Sequence, residues 1–181
     1  MLDHEPGKYT RRSFFKQVGA ALAAGTFSDT LSSHAENNET THGTQRKIHG
    51  RKASFYGSGT RSDPKPSRNL RALDDIYGKD VWNYFCAMPD TSLRGTTVLV
   101  VNELNKKAAI LVVADYGPNQ RSHPDRVIDV SDYSARRGGL DFHANGLTPV
   151  SVYIFERDEK PKLGPMKKYE VREKEVVLEY N

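Results

Sequence analysis

Apolar and polar positions sort this chain into short blocks. The clearest are "TTVLVV" and "AAILVVADYG", two runs rich in Val, Leu and Ile that flank the polar "NELNKK" and predict two strands joined by a turn. "RVIDVS" predicts another short strand. "TPVSVYIFER" predicts a closing strand, with Val150, Val152 and Ile154 on one alternation and Ser151, Tyr153 and Phe155 on the other. "RKASFYGSG" reads as a strand closed by glycines, and "RSDPKPSRN" as a proline-punctuated loop that no central strand tolerates. Helical character is confined to "LRALDDIYGKDVWNYFCAM", where Leu70, Leu73, Ile76 and Tyr77 recur at helical spacing until Gly78 interrupts, and to "SDYSARRGGL". The latter opens on Ser131 and Asp132 as N-cap candidates and closes on a glycine pair.

The two ends of the chain look different. Residues 36–49 carry "ENNETTHGTQRK", polar and without a period, and predict a disordered linker. Residues 157–181 are charged and broken by Pro161 and Pro165, so they read as a tail whose last "YEVREKEVVLEY" suits either an edge strand or a short helix. With 181 residues, the chain holds one domain of residues 50–156 plus appendages. Several short strands with one or two small helices predict an all-β closed barrel, since closure removes vulnerable edges.

Composition changes this picture little. A net charge of +4 suits anionic partners, but 27 basic residues are interspersed with 23 acidic ones, without the clustering of a nucleic-acid footprint. One cysteine, Cys86, excludes an internal disulfide and reads as a small core residue. No spacing of His, Cys, Asp or Glu resembles a metal-ligand set, and no metal or other cofactor is expected.

The first 35 residues add localisation. "TRRSFFKQVGAALAAGTF" joins Arg11 and Arg12 to Phe14, Phe15 and Lys16 and then to a weakly apolar Ala/Gly stretch too short to span a membrane. It resembles a twin-arginine export signal, with small Ser33 and Ala35 predicting cleavage after Ala35. The expected product is a periplasmic or secreted monomer without a stable membrane anchor.

The candidate chemistry lies in "VVADYGPNQRSHPDRVIDVS". Asp115 and Asp129 each end an apolar run, where a side chain leaves the core while its backbone stays held by the ladder. An aspartate after a strand also serves as a turn former, Asp115 accepting from amides of "YGPN" and Asp129 from Ser131 or a following helix amide.

"GRKASFYGSG", "LRGTTVLVVNELNKKAAILVVADYGP", "RVIDVSDYSARRGGL" and "TPVSVYIF" together resemble, in order, the motifs of the rare lipoprotein A group across residues 50–155. The resemblance implies a six-stranded double-psi β-barrel related to expansins and some lytic transglycosylases. It also implies that Asp115 and Asp129 face a glycan-binding groove. Asp129 would be the acid that protonates a glycosidic oxygen and then, as carboxylate, takes the proton of the sugar's own C6 hydroxyl, closing an anhydro ring. Asp115 would tune that acid or hold a sugar hydroxyl, and proximity of the two carboxyls, with partial desolvation, would raise the acid's pKa. Ser54 and Tyr56 match the family's first-strand groove residues. Tyr116 and Trp82 offer aromatic faces to a pyranose, and His123 lies in the loop between the aspartates.

The chain departs from the family in "YGKDVWNYFCAMPDTSLRGT", where Lys79 and Pro89 stand near the family's glutamate and histidine, with Asp80 or Asp90 as possible substitutes. The expected function is therefore an exported lytic transglycosylase acting on peptidoglycan. The alternative is a non-catalytic, expansin-like wall-binding module on the same groove.

Overall fold

The computed structural model describes residues 39–57, 67–142 and 146–181. The export signal expected over residues 1–35 lies outside these. Strands hold 50% of the described residues and helices 17%, which makes the class mostly β.

Eight strands form one sheet in the order β2-β5-β1-β6-β3-β4-β7-β8. They are β1 (Glu39–Tyr56), β2 (Phe85–Met88), β3 (Thr97–Asn102), β4 (Ala108–Tyr116), β5 (Arg126–Ser131), β6 (Thr148–Phe155), β7 (Gly164–Val171) and β8 (Glu175–Tyr180). Two helices, α1 (Ser67–Tyr77) and α2 (Asp132–Arg136), and short 3-10 turns accompany the strands among the described residues. Because β2 pairs with both β5 and β4, the pairings through β2, β5, β1, β6, β3 and β4 return to their start. A second return runs through β8, which pairs with β1 as well as β7. The β1–β5 and β2–β4 pairs are parallel, the others antiparallel.

Several sequence expectations hold. The two Val/Leu/Ile runs pair as β3 and β4, "RVIDVS" is β5, and Ser131 caps α2 by accepting from the Ser134 N–H at 3.1 Å. The glycine pair after α2 also has a reason: Gly139 has φ +97, and a Cβ there would stand 2.5 Å from the Pro165 side chain of β7. Leu70 and Leu73 are buried by α1, but Ile76 is 59% exposed, so the helix's apolar face ends one turn early.

Three expectations are corrected. Residues 39–49 are not a linker but the first half of β1, which pairs with β8 through Glu39–Gly43 and with β6 beyond. Residues 157–181 are not a tail but supply β7 and β8, so the strand count is eight rather than six. "FCAM", assigned to the helical stretch, is the wholly buried strand β2.

These corrections share a cause. On β6, Val150, Val152 and Ile154 are buried, but so are Ser151, Tyr153 and Phe155. The second face is covered by the misjudged segments: His42 packs edge-on against Phe155 at 5.7 Å and His49 against Tyr153 at 5.4 Å. Polar strands hide an apolar face here, and burial at about 25 cal/mol per Å² stabilises the cover as it does the core.

Candidate functional site

Strand register lines up the candidate residues. Asp129 of β5 pairs with Ser54 of β1 on one side and with Ala87 of β2 on the other, and Ala87 pairs in turn with Asp115 of β4. Directly paired residues share a face, so Ser54, Asp129, Ala87 and Asp115 make a row across four strands. Two strand spacings separate the aspartate backbones, roughly 10 Å.

Each aspartate owes its place to an irregularity. Between the pairs Lys52–Arg126 and Ala53–Ile128, β5 carries one extra residue, Val127. Between Cys86–Val113 and Ala87–Asp115, β4 carries Ala114 as an extra residue. Such bulges redirect the following side chains, and here they turn an aspartate onto the face of the small Ala87.

The first bulge also recruits a residue that sequence reasoning passed over. Arg126 is three positions before Asp129, an odd separation that in a regular strand would put the two on opposite faces. With Val127 inserted, Arg126 shares the face of Asp129, and its Nη1 donates to Ser54 Oγ at 3.4 Å. Ser54 in turn donates its hydroxyl to Asp129 Oδ1. Gln120 holds the Arg126 carbonyl at 2.8 Å, which ties the loop to the start of β5.

Gly117 closes over the row. Its N–H donates to the Met88 carbonyl at 3.2 Å, and a Cβ there would stand 3.3 Å from Asp129 Oδ2 and 3.5 Å from the Ala87 methyl. With φ +152, the position favours glycine on backbone grounds as well.

The two carboxyls have different partners. Burial pushes the pKa of Asp129 up, against the Ser54 hydrogen bond and the nearby charges of Arg126 and His123, which pull it down. Asp115 is not among the causes, so desolvation does what the second carboxylate was expected to share. Asp115 Oδ1 accepts from the neighbouring Tyr116 N–H at 2.8 Å, the turn-forming use foreseen for it, while Asp129 is held by Ser54 rather than by Ser131 or a helix amide. Behind the row, Cys86 is buried, as expected of a core residue, and burial together with the Asp129 charge raises its thiol pKa.

The aromatic candidates part company. Tyr116, next to Asp115, is 57% exposed and presents its ring to solvent. Tyr56 packs edge-to-face on Phe85 at 5.7 Å. Trp82 packs against the core and lines a cavity of about 240 Å³ with Arg71, Asp74 and Lys79, which includes neither Asp115 nor Asp129. His123 is exposed, with its backbone held by Asn119.

The departures from the family motif are engaged elsewhere. Lys79 pairs with Asp74. Asp90 accepts from the Ser92 N–H at 3.1 Å, capping a 3-10 turn, and pairs with Arg46 at 3.4 Å. The cavities lined by Glu39 and Val177, by His42 and Tyr180, and by Lys106 and Tyr169 also lie away from the row. Among the described residues, no three His, Cys, Asp or Glu side chains group as metal ligands, and no helix is long and apolar enough to cross a membrane.

Comparison of the chain with protein-family models and with characterised proteins returns no match.

Proposed function

We propose that the strands of the first closed circuit are a double-psi β-barrel and that its row of Ser54, Asp129, Ala87 and Asp115 receives a wall glycan, with Asp129 as the acid of a peptidoglycan lytic transglycosylase. One observation carries this reading: Asp129 sits partly buried beside the Ser54 hydroxyl, and desolvation raises its pKa, so it holds a proton more readily than an exposed carboxyl does.

Chemically, protonated Asp129 gives its proton to the glycosidic oxygen as the C1–O bond breaks. The resulting carboxylate, steadied by Ser54, takes the proton of the C6 hydroxyl, whose oxygen bonds to C1. The 1,6-anhydro ring closes without water, and Asp129 ends protonated as it began. Asp115, at the end of the row, and the exposed Tyr116 beside it supply a carboxylate for a sugar hydroxyl and an aromatic face for a pyranose. Export by the twin-arginine route, carried by Arg11 and Arg12, would put the protein beside that substrate.

Incubation with denuded peptidoglycan glycan strands, followed by mass spectrometry of soluble products, tests the proposal. Anhydro-muramyl ends are expected from the wild type and a loss of about 100-fold or more from Asp129→Asn. No anhydro product from the wild type, or equal release by the variant, rejects it.

One observation favours the wall-binding reading: Asp90, one of the two substitutes named for the family's glutamate and histidine, is tied to Ser92 and Arg46. Binding alone predicts retention on insoluble wall material that weakens in Tyr116→Ala, with no fragments released.

A further inference from the structure

At the opposite end of β1 from Ser54, three side chains form a second ordered set. Thr40 and His42 are two apart on the strand and therefore share a face. His42 Nδ1 lies 2.6 Å from Glu159 Oε2, and its Nε2 lies 3.0 Å from Thr40 Oγ1. A carboxylate only accepts, so Nδ1 carries the proton and Nε2 is left to accept from the Thr40 hydroxyl.

The parts are held from outside the set. The Gly43 N–H donates to Glu159 Oε1 at 3.1 Å, so both carboxylate oxygens are engaged. The Phe155 ring meets the imidazole edge-on at 5.7 Å, and the His42 side chain is only 15% exposed. Thr40, by contrast, is exposed and, with His42, lines a cavity of about 370 Å³. Lys160, Lys162 and Tyr180 line the same cavity, and the Tyr180 phenol hydrogen-bonds to Thr40.

A hydroxyl within reach of an imidazole that a carboxylate orients is the arrangement by which a weak oxygen nucleophile is activated. We propose that Thr40, His42 and Glu159 are a second reactive centre, a hydrolase for carboxylic esters that carry a negative charge. Thr40 Oγ bonds to the ester carbonyl carbon while its proton passes to His42 Nε2. Collapse of the tetrahedral adduct breaks the carbon–oxygen bond to the leaving alcohol, which takes the proton from His42. Water then attacks the acyl-threonine, gives its proton to His42, and releases the acid as Thr40 recovers its hydrogen. Lys160 and Lys162 select the anionic substrate by charge, and Glu159 steadies the imidazolium formed in each step.

The test uses the full chain with two probe esters, neutral phenyl acetate and anionic 4-acetoxybenzoate, followed by absorbance. The wild type should cleave the anionic ester with kcat/KM about fivefold higher, an advantage that disappears in Lys162→Ala. Thr40→Val, which keeps the shape of threonine, should fall by about 100-fold or more, and Thr40→Ser should keep the activity. A fluorophosphonate probe on the unaltered protein should add one phosphonyl group at Thr40, found by peptide mass spectrometry, whatever the folding of any variant. Ester turnover at the buffer rate, unchanged turnover in Thr40→Val, or phosphonylation away from Thr40 overturns the proposal. A purely structural clasp would show the first and leave Thr40 unlabelled.

Discussion

The two ends of β1 lie beside carboxyls whose pKa values are shifted in opposite directions. Near Tyr56, Asp129 leans on Ser54 and is partly desolvated, and its pKa goes up although the Arg126 charge pulls against this. Near Glu39, Glu159 accepts from an imidazole and a backbone N–H, and its pKa goes down, chiefly through the His42 hydrogen bond. Beside one end of the strand a carboxyl is shifted toward holding its proton, and beside the other a carboxyl is shifted toward losing it. The balance of donors against desolvation decides which, and charge-assisted donors outweigh modest burial.

The largest effect expected from testing this contrast comes from removing one end. Truncation after Arg157 deletes β7, β8 and Glu159, and with them the buried Leu163, Val176 and Leu178. Their burial stabilises by roughly 5–9 kcal/mol, comparable with the whole stability of a typical domain. The truncated chain should lose its cooperative urea transition; a sharp transition at the wild-type midpoint would show the two strands to be dispensable.

Phe155→Ala comes next, with an expected cost of about 3–5 kcal/mol by urea titration, because it leaves a cavity under His42.

Asp129→Asn should move stability the other way. A carboxyl whose folded pKa is raised favours the fold while protonated, below about pH 4, and that contribution is lost as pH climbs through the raised pKa. The variant should therefore gain over the wild type between pH 3 and pH 7, by at most about 1 kcal/mol given partial exposure. A gain that is absent at pH 7 contradicts the desolvation account.

Glu159→Gln should show the smallest effect and the reverse trend. With its folded pKa lowered, Glu159 stabilises above about pH 4.3, and the contribution fades as pH falls through the lowered value. The variant should lose about 0.5 kcal/mol at pH 7 and draw level near pH 3.

Legibility followed the source of burial. β3, β4, β5 and β6 were readable because each carries its own apolar run, and α2 because Ser131 is both its cap and a recognisable signal. "FCAM" is too short to separate from the helical stretch before it, and only pairing on both sides makes it a strand. The final segment had been open between an edge strand and a helix; β8 is a strand but not an edge, since β1 and β7 flank it. Asp115 and Asp129 were visible as charges closing apolar runs, whereas Arg126 was hidden by strand parity until the bulge at Val127 reversed it.

By itself, the sequence determined the β-rich class, most strands of the central run, the α2 cap and the two aspartates, because these depend on residues near one another along the chain. Tertiary structure alone decided that polar residues 39–49 and the β7 and β8 segments pair into the sheet, that Glu159 meets His42 across more than a hundred residues, and that Arg126, Ser54 and Asp129 share a face. Those outcomes rest on register and on mutual covering of surfaces, which no local pattern of hydrophobicity encodes.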